Sequence, residues 1–379
     1  MKIVDIRCIP VHSPQRGRNY LFVKIETDEG IHGLGEAGIT GKELAIQGVI
    51  EHFRSMLIGE DPSRIEFIWQ RLYRGGFFKG GQILTAAISA VDIALWDIRG
   101  KALGQPVYEL LGGLCRDRAV CYPHVRGETL PEFLADADRA LGEGYKFVRL
   151  HAISEYDNIF NPRNTVPQTT EWATALRERV GPRIEILVDF HTRLDPIDAV
   201  RLARALEPAE PYFIEDPVRS ENAESYRMVR ERTNLPIAGG EELATKWEFR
   251  PLIEGDLIDY VRVDLCIVGG LTEAKKIAGW AESHYQYLAP HNPLGPVSTA
   301  ACLHLDLSSP LFGVQELPWL PGYMPDVFPL QVEYQDGYLL PPTAPGIGVE
   351  IDEAAAAEHP FVLSGNPEYR REDGSITNW

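Results

Sequence analysis

Short apolar segments recur at nearly even spacing through the chain, and this spacing constrains the fold more than any other feature. The predicted strand ends fall at residues 189, 215, 241, 264, 291 and 316, at intervals of 26, 26, 23, 27 and 25 residues. A strand, a helix of about three turns and the loops around them need about that much chain. The pattern predicts repeated parallel βα units and an α/β fold of the TIM-type (β/α) barrel.

Eight candidate strands form the predicted barrel, and each is followed by a helical pattern. They are 118–123, 146–150, 185–189, 211–215, 236–240, 260–264, 286–290 and 312–316. The interval between the second and third candidate strands is longer than the others, because residues 151–168 are inserted before the helical segment 170–180. Long loops at the carboxyl ends of barrel strands commonly line the site, so we expect this insert to influence specificity.

The two ends of the chain lack the repeated βα pattern and have other hydrophobic patterns. Three runs of alternating apolar and polar residues within the first forty residues predict an antiparallel meander, and helical patterns follow it. A strand-turn-strand pattern at 331–340 is expected to pair with that meander. The predicted domains are an α+β capping domain over 1–117, the barrel over 118–328, and a C-terminal segment, 329–379, that returns to the capping domain.

Composition restricts the partners and the compartment. The chain has 37 basic and 55 acidic residues, a formal net charge of −18, which argues against nucleic acid or an anionic membrane surface as partner. No apolar run approaches the ~18 residues of a membrane span, and no signal-peptide pattern opens the sequence. Five scattered cysteines fit a reducing compartment. We therefore expect a cytoplasmic protein.

Acidic residues stand at the ends of three consecutive predicted strands. Asp189 ends ILVDF, Glu215 ends YFIED and Glu241 ends IAGGE. A single strand-end acid is usually a solvated side chain, but the carboxyl ends of barrel strands converge on one point. Magnesium prefers carboxylate oxygens and keeps positions open for water or substrate. The three residues together therefore predict a Mg²⁺ site.

The last strands supply candidates for acid-base chemistry. Asp264 and His291 follow adjacent strands, so Asp264 could hold His291 in one tautomer and raise its basicity. This pair is a candidate general base. His191 lies two residues after Asp189 and is a candidate general acid on the opposite side of a substrate.

Longer motifs carry a family resemblance that extends over essentially the whole chain. The segment VKIETDEGIHGLGEA, the segment from LYRGG to ELLGG, and the ordered acids and histidine from Asp189 to Glu316 resemble the enolase superfamily, mandelate racemase branch. More narrowly, DFH at 189–191, FIEDP at 213–217, APHNPLGP at 289–296 and AACLHLD at 300–306 resemble the galactonate dehydratase group.

The resemblance implies a mechanism and roles for single residues. Asp189, Glu215 and Glu241 would hold Mg²⁺, and His291 with Asp264 would take the C2 proton of an aldonate. His191 would protonate the departing C3 hydroxyl, which gives a 2-keto-3-deoxy acid. Glu316 would donate a hydrogen bond to the enediolate in its protonated form, or else position the substrate. The leading substrate is galactonate, and the family habit implies a homo-oligomer.

The segment KFVRLH departs from the K-x-K pattern of many racemases in this branch. Arg149 stays protonated and is a poor base, so a racemase with two bases is disfavoured. Arg149 would clamp the substrate carboxylate, pair with the metal ligands, or do both. With His124 it also resembles the mannonate dehydratase group, in which an arginine and a tyrosine serve as base. The candidate tyrosine here is Tyr156, seven residues after Arg149 and within the insert.

The substrate and the turnover therefore have alternatives. Mannonate or gluconate dehydration is one, and a sugar-acid sensor of low activity is another. The residues expected to contact the small anionic substrate are Arg16, Asn19, His124, His151, Tyr156 and Trp319.

Overall fold

A computed structural model describes residues 1–152, 159–319, 322–363 and 368–378. Tyr156 lies outside the described residues, together with most of the insert. Among the residues described, no helix is long and apolar enough to cross a membrane.

The amino-terminal region is an antiparallel sheet covered by helices, as predicted. Its strands are β1 (Ile3–Ser13), β2 (Arg18–Thr27) and β3 (His32–Ala37), in the order β1-β2-β3. Its helices are α1 (Glu43–Leu57), α2 (Ile65–Arg74), α3 (Gln82–Leu103) and α4 (Val107–Leu110). Helix α3 lies so close to β3 that a Cβ on Gly35 would be 1.8 Å from the carbonyl oxygen of Ala90. Glycine therefore permits this contact.

Eight parallel strands follow, at the positions expected from the spacing. They are β4 (Ala119–Pro123), β5 (Phe147–His151), β6 (Glu185–Asp189), β7 (Phe213–Glu215), β8 (Ile237–Gly239), β9 (Tyr260–Val261), β10 (Tyr287–Leu288) and β11 (Gln315–Leu317). The helices between them are α5 (Leu130–Gly142), α6 (Pro162–Val180), α7 (Pro196–Leu206), α8 (Glu224–Arg230), α9 (Lys246–Glu254), α10 (Gly270–Glu282) and α11 (Pro296–Leu307). Helix α6 begins eight residues before the helical segment expected from residue 170, which shortens the loop before it.

Strands β5 to β10 form one six-stranded sheet in sequential order, and β11 pairs with β4 in parallel. Two isolated parallel bridges join these groups. One links His124, just after β4, to Arg149 of β5, and the other links Leu288 of β10 to Phe312, just before β11. Each of the eight strands therefore has a parallel neighbour on both sides.

The C-terminal region differs in part from the expectation. Its elements are β12 (Tyr334–Gln335), β13 (Tyr338–Leu339), α12 (Glu353–Ala357), β14 (Tyr369–Arg370) and β15 (Ile376–Thr377). The predicted strand-turn-strand at 331–340 is present, but β13 pairs with Ala119 and Val120 of β4 and not with the meander. Ala119 and Val120 precede Cys121, where the pairing of β4 with β11 begins, so their backbone groups are available to the hairpin.

Helix α12 and the β14–β15 hairpin contact different parts of the molecule. Helix α12 packs against β1, and Glu353 accepts hydrogen bonds from Arg7 of β1 and Lys24 of β2. The β14–β15 hairpin contacts the loops after β5 and β6 instead: Phe160 N donates to Arg370 O, and Asn378 donates to Thr192 O.

Candidate active site

The floor of the site is an apolar layer inside the parallel strands. Phe147, Leu187 and Phe213 belong to a buried cluster, and side chains two residues apart on a strand lie on the same face. The residues two positions further on in these strands are charged: Arg149, Asp189 and Glu215. The alternation thus stacks a charged layer on the apolar one at the carboxyl ends of the strands.

Three carboxylates lie close together in this layer. Glu215, Asp216 and Glu241 are buried and offer oxygens that all lie within 4.8 Å of one another. Asp216 Oδ2 and Glu241 Oε2 have no hydrogen-bond partner. Burial raises the pKa of Glu215 to about 7, that of Asp216 to about 6 and that of Glu241 well above its usual value. Such a group of oxygens is suited to a hard divalent cation.

Asp189 adjoins this cluster but has its own partners. It faces Glu215 in the β6–β7 register, and its Oδ1 accepts a hydrogen bond of 2.7 Å from the backbone N–H of His191. Its Oδ2 is paired with Arg149 and lies 2.9 Å from His151 Nδ1. Burial opposes ionisation, but Arg149 outweighs it and holds the pKa of Asp189 well below the usual value.

Two buried arginines hold Glu316. Arg149 Nη1 donates to Glu316 Oε1 at 2.6 Å, and Arg262 Nη2 donates to Oε2 at 2.7 Å. Arg262 Nη2 also lies 2.6 Å from Glu215 Oε1, so it links this acid to the carboxylate cluster. Burial works against ionisation, but the two arginines lower the pKa of Glu316 well below its usual value. An ionised carboxylate only accepts hydrogen bonds, which favours the positioning role over the protonated donor.

His291 and Asp264 form a hydrogen-bonded pair. His291 Nδ1 lies 2.8 Å from Asp264 Oδ2, and Cys266 N donates to Asp264 Oδ1 at 2.7 Å. Asp264 accepts a hydrogen bond from Nδ1, which leaves Nε2 facing Glu241 Oε2 at 3.4 Å. Burial disfavours the imidazolium, but Glu241 and Asp264 outweigh it and raise the pKa of His291 to about 9.

The loop that carries His291 is fixed by the capping region. Glu36 of β3, which is fully buried, accepts hydrogen bonds from Gly295 N at 2.6 Å and Ser298 N at 2.9 Å. A Cβ on residue 295 would lie 2.7 Å from Glu36 Oε1, so glycine permits this approach. Burial raises the pKa of Glu36 to about 8. The contact connects the capping sheet to the start of α11.

Three histidines lie on the other side of the charged layer. The rings of His124 and His151 are 6.2 Å apart, and those of His151 and His191 are 6.0 Å apart. Burial lowers the pKa of His124 and of His191 to about 3 and also lowers that of His151, and Arg149 acts in the same direction on all three. These rings are neutral, whereas His291 is basic.

A cavity of about 370 Å³ connects the two sides. Most of the residues predicted for catalysis or binding line it: Arg16, His124, Arg149, His151, His191, Glu241, Asp264, His291 and Glu316. The fully buried Asp189 and Glu215 lie beneath this lining. The structure thus brings the residues selected from distant parts of the sequence to one place.

Asn19 and Trp319 lie outside the lining of this cavity. The side chain of Asn19 donates to Val362 O at 2.8 Å and accepts from Val362 N at 3.1 Å. Trp319 Nε1 donates to Leu294 O at 2.8 Å. Both side chains hold neighbouring backbone, and their predicted contact with substrate stays a prediction.

Two residues of the site were missed in the sequence. Arg262 stands two residues before Asp264, so strand alternation would have placed it on the same face. Asp216 directly follows Glu215, and alternation alone points it away from that face. Its left-handed backbone, with φ of 38°, turns it into the carboxylate cluster.

Comparisons with known proteins identify the family. The sequence profile of the mandelate racemase / muconate lactonizing enzyme N-terminal domain matches residues 8–112, and that of the enolase C-terminal domain-like family matches residues 132–355. The chain belongs to the enolase superfamily. Its place is in the mandelate racemase and muconate lactonizing enzyme branch, as the motifs predicted.

Relatives of this enolase-superfamily chain span its full length. A D-mannonate dehydratase from Caulobacter vibrioides is 40% identical and is covered over 100% of both chains. A D-galactonate dehydratase from Ralstonia nicotianae is 41% identical, over 95% of this chain and 96% of the relative. An enolase from Pantoea ananatis, solved with bound D-gluconate and Mg, superposes with a TM-score of 0.93 at 36% identity, over 100% of this chain and 99% of that one.

Proposed function

We propose that the protein is a Mg²⁺-dependent hydro-lyase that dehydrates sugar acids. It removes the C2 proton and the 3-hydroxyl of an aldonate to give a 2-keto-3-deoxy acid. The observation that carries the proposal is the arrangement of the cavity: a basic His291–Asp264 pair beside a carboxylate cluster, facing neutral histidines. The relatives named as D-mannonate and D-galactonate dehydratases support the same reaction class.

The residues present fit a magnesium ion. Glu215 and Glu241 bring buried carboxylate oxygens close together, and Glu241 Oε2 has no hydrogen-bond partner. A buried carboxylate oxygen without such a partner is costly unless a cation is near. Asp189 is the third ligand, because it neighbours Glu215 across the strand pair and Arg149 keeps it ionised. Bound Mg²⁺ would stabilise the negative charge that develops on the substrate when the C2 proton leaves.

His291 takes the C2 proton at Nε2. Its Nδ1 proton is held by Asp264, so only Nε2 faces the cavity. Asp264 in turn is fixed by the backbone of Cys266. The base is therefore oriented before the substrate binds, which reduces the cost of reaching the reactive geometry.

His191 donates the proton to the leaving 3-hydroxyl from the opposite side. The ring is neutral in the structure, but an anionic substrate placed beside it favours the imidazolium. Arg149 and Glu316 position the substrate. Arg149 is fixed by its pairs with Asp189 and Glu316, and Glu316 is held between Arg149 and Arg262. Arg149 thereby combines the two roles considered for it.

Galactonate is the leading substrate on the sequence motifs, and mannonate and gluconate are the alternatives. A sugar-acid sensor with low turnover is the alternative from a different class. The basic pair and the carboxylate cluster favour an enzyme, because binding alone does not need a general base.

The fold and the assembly complete the proposal. We infer that the parallel neighbours of the eight strands close a TIM-type (β/α) barrel over 118–328, with a capping domain over 1–117. Residues 346–363 extend that capping domain, whereas the hairpins at 334–339 and 369–377 belong to the barrel. A homo-oligomer and a cytoplasmic location stay predictions.

The test is turnover of a sugar-acid panel. Purified protein with Mg²⁺ is incubated with aldonates and aldarates, and 2-keto-3-deoxy acids are measured by a colour reaction. We expect product from at least one acid and loss of product in excess chelator. Undiminished turnover in chelator would exclude the metal. Absence of product from every acid in the panel, with the metal bound, would favour the sensor.

A further inference from the structure

Four arginines line the cavity without an ion-paired acid among the described residues: Arg16, Arg18, Arg126 and Arg193. Arg193 donates to Ala152 O and lies over the ring of Tyr369, so the other three are considered together. Arg16 and Arg18 come from the β1–β2 connection of the capping region, and Arg126 comes from the segment after β4. Within the described ranges, no carboxylate oxygen lies within 4.0 Å of their guanidinium nitrogens. This differs from Arg149 in the same cavity, which is paired with both Asp189 and Glu316.

The contacts that hold these arginines are uncharged. Arg16 donates to the carbonyl oxygen of Pro318, and Arg18 Nη1 donates to that of Pro293 at 2.9 Å. Arg16 Nε is buried and has no hydrogen-bond partner. Backbone carbonyls orient the guanidinium groups of Arg16 and Arg18 without forming an ion pair with them.

The positive charges are also close enough to affect one another. Burial lowers the pKa of Arg18 and of Arg126, and the charge of Arg16 lowers both further. A chain with a net charge of −18 has many carboxylates with which it could have neutralised this group. A partly buried cationic group with free donors is a site for an anion.

We propose that the substrate carries a second anionic group at the end remote from the reacting carbons, and that Arg16, Arg18 and Arg126 bind it. This inference rests on the dehydration reaction of the proposed function and replaces its plain aldonate with a doubly anionic sugar acid. The second group is the terminal carboxylate of an aldarate or the terminal phosphate of a phosphorylated aldonate. Both offer several anionic oxygens to guanidinium N–H donors. The neutral terminal hydroxyl of a plain aldonate leaves the three charges uncompensated.

The experiment compares acids that differ only at the far end. With Mg²⁺-loaded enzyme, kcat/KM is measured for D-galactonate against galactarate, and for D-gluconate against D-glucarate and 6-phosphogluconate. We expect a doubly anionic acid to exceed its matched aldonate at least tenfold, with a ratio that falls as salt rises. The better of glucarate and 6-phosphogluconate identifies the group as carboxylate or phosphate. Equal or greater kcat/KM for the aldonates would overturn the inference.

Variants separate binding of the anion from a structural role of the loop. Arg16→Gln and Arg126→Gln are expected to lower the ratio of kcat/KM for the doubly anionic acid to that for its matched aldonate at least tenfold. Arg99→Gln, on the exposed face of α3, is the matched control and should leave the ratio unchanged. An equal loss for both acids of a pair would show that the arginines only shape the site.

Binding measurements keep this inference distinct from the proposed function. If no acid is turned over, the proposed dehydratase fails, and calorimetry with the same Mg²⁺-loaded protein decides the anion site alone. Tighter binding of galactarate than of D-galactonate, reduced by Arg126→Gln, supports the site. Equal affinities, or no binding of either acid, reject it.

Discussion

The two sides of the cavity use the same residue type in opposite electrostatic settings. His291 lies beside Glu241 and Asp264, which outweigh burial and raise its pKa to about 9. His191, His151 and His124 lie on the side of Arg149, and their pKa values are lowered, chiefly by burial. The four histidines around one cavity therefore differ in basicity because their neighbours differ.

This contrast separates the two halves of the proposed reaction. A base that removes a proton next to a carboxylate benefits from nearby acids that favour its protonated product. The opposite side must hold an anionic substrate and donate hydrogen bonds, and arginine with neutral imidazole does both. Substitutions on either side of the cavity test this difference one residue at a time.

The largest effect is expected from His291→Asn. Without Nε2 no group on that side takes the C2 proton, so both C2 exchange in D₂O and dehydration should fall by about 10²–10⁴-fold. Exchange is measured by NMR of recovered substrate. Retained exchange would place the base on the other side of the cavity.

His191→Asn should separate the two steps. Dehydration is expected to fall by about 10²-fold or more, while C2 exchange continues because His291 and Asp264 are intact. The same NMR measurement, run together with the 2-keto-3-deoxy acid assay, gives both rates. Loss of exchange together with dehydration would contradict the assignment of acid and base.

Asp189→Asn and Asp216→Asn test which carboxylate completes the metal site. Asp189 is held ionised by Arg149, whereas burial raises the pKa of Asp216 to about 6. We expect Asp189→Asn to raise the Mg²⁺ dissociation constant about tenfold or more, by analogy with losses around metal ligands, and Asp216→Asn to raise it less. Calorimetry measures both, and the reverse order would make Asp216 the ligand.

The smallest effect concerns Glu36, which supports the His291 side. Its pKa is raised from 4.5 to about 8, so its contribution to stability is full below pH 4.5 and is lost as the pH rises through 8. Glu36→Gln removes this dependence. Relative to the wild type, the variant should therefore gain about 1 kcal/mol or more of unfolding free energy between pH 5 and pH 8.

Urea unfolding at the two pH values measures this difference. Glu171→Gln, on the exposed face of α6, is the matched control and should follow the wild type at both pH values. Parallel pH dependence of the Glu36 variant and the wild type would show that Glu36 does not titrate in this range.

The sequence was sufficient where a regular period determined the geometry. The strand ends near 189, 215 and 316 follow from the spacing of βα units, and strand alternation then places their acids above an apolar layer. The same reasoning would have found Arg262. Periodicity acts over short distances along the chain, so it transfers directly to local structure.

The sequence was insufficient where the position of a residue depends on a pairing partner that is remote in the chain or on an irregular backbone conformation. The hairpin at 334–339 was expected, but its apolar pattern does not encode the strand with which it pairs. Asp216 enters the site through a left-handed backbone that alternation cannot anticipate. The side chain of Asn19 donates a hydrogen bond to the backbone carbonyl of Val362, which is remote in the sequence.

The contact between Glu36 and Gly295 has a consequence for protein engineering. The Glu36 side chain of the capping region accepts hydrogen bonds from the backbone N–H groups of Gly295 and Ser298, and glycine at 295 permits this close approach. A chimera that joins the first 117 residues to the remainder of a relative must therefore carry compatible residues at both positions. A graft that supplies alanine at 295 would place its Cβ 2.7 Å from Glu36 Oε1, so the Glu36 side chain would have to move at the loop that carries His291.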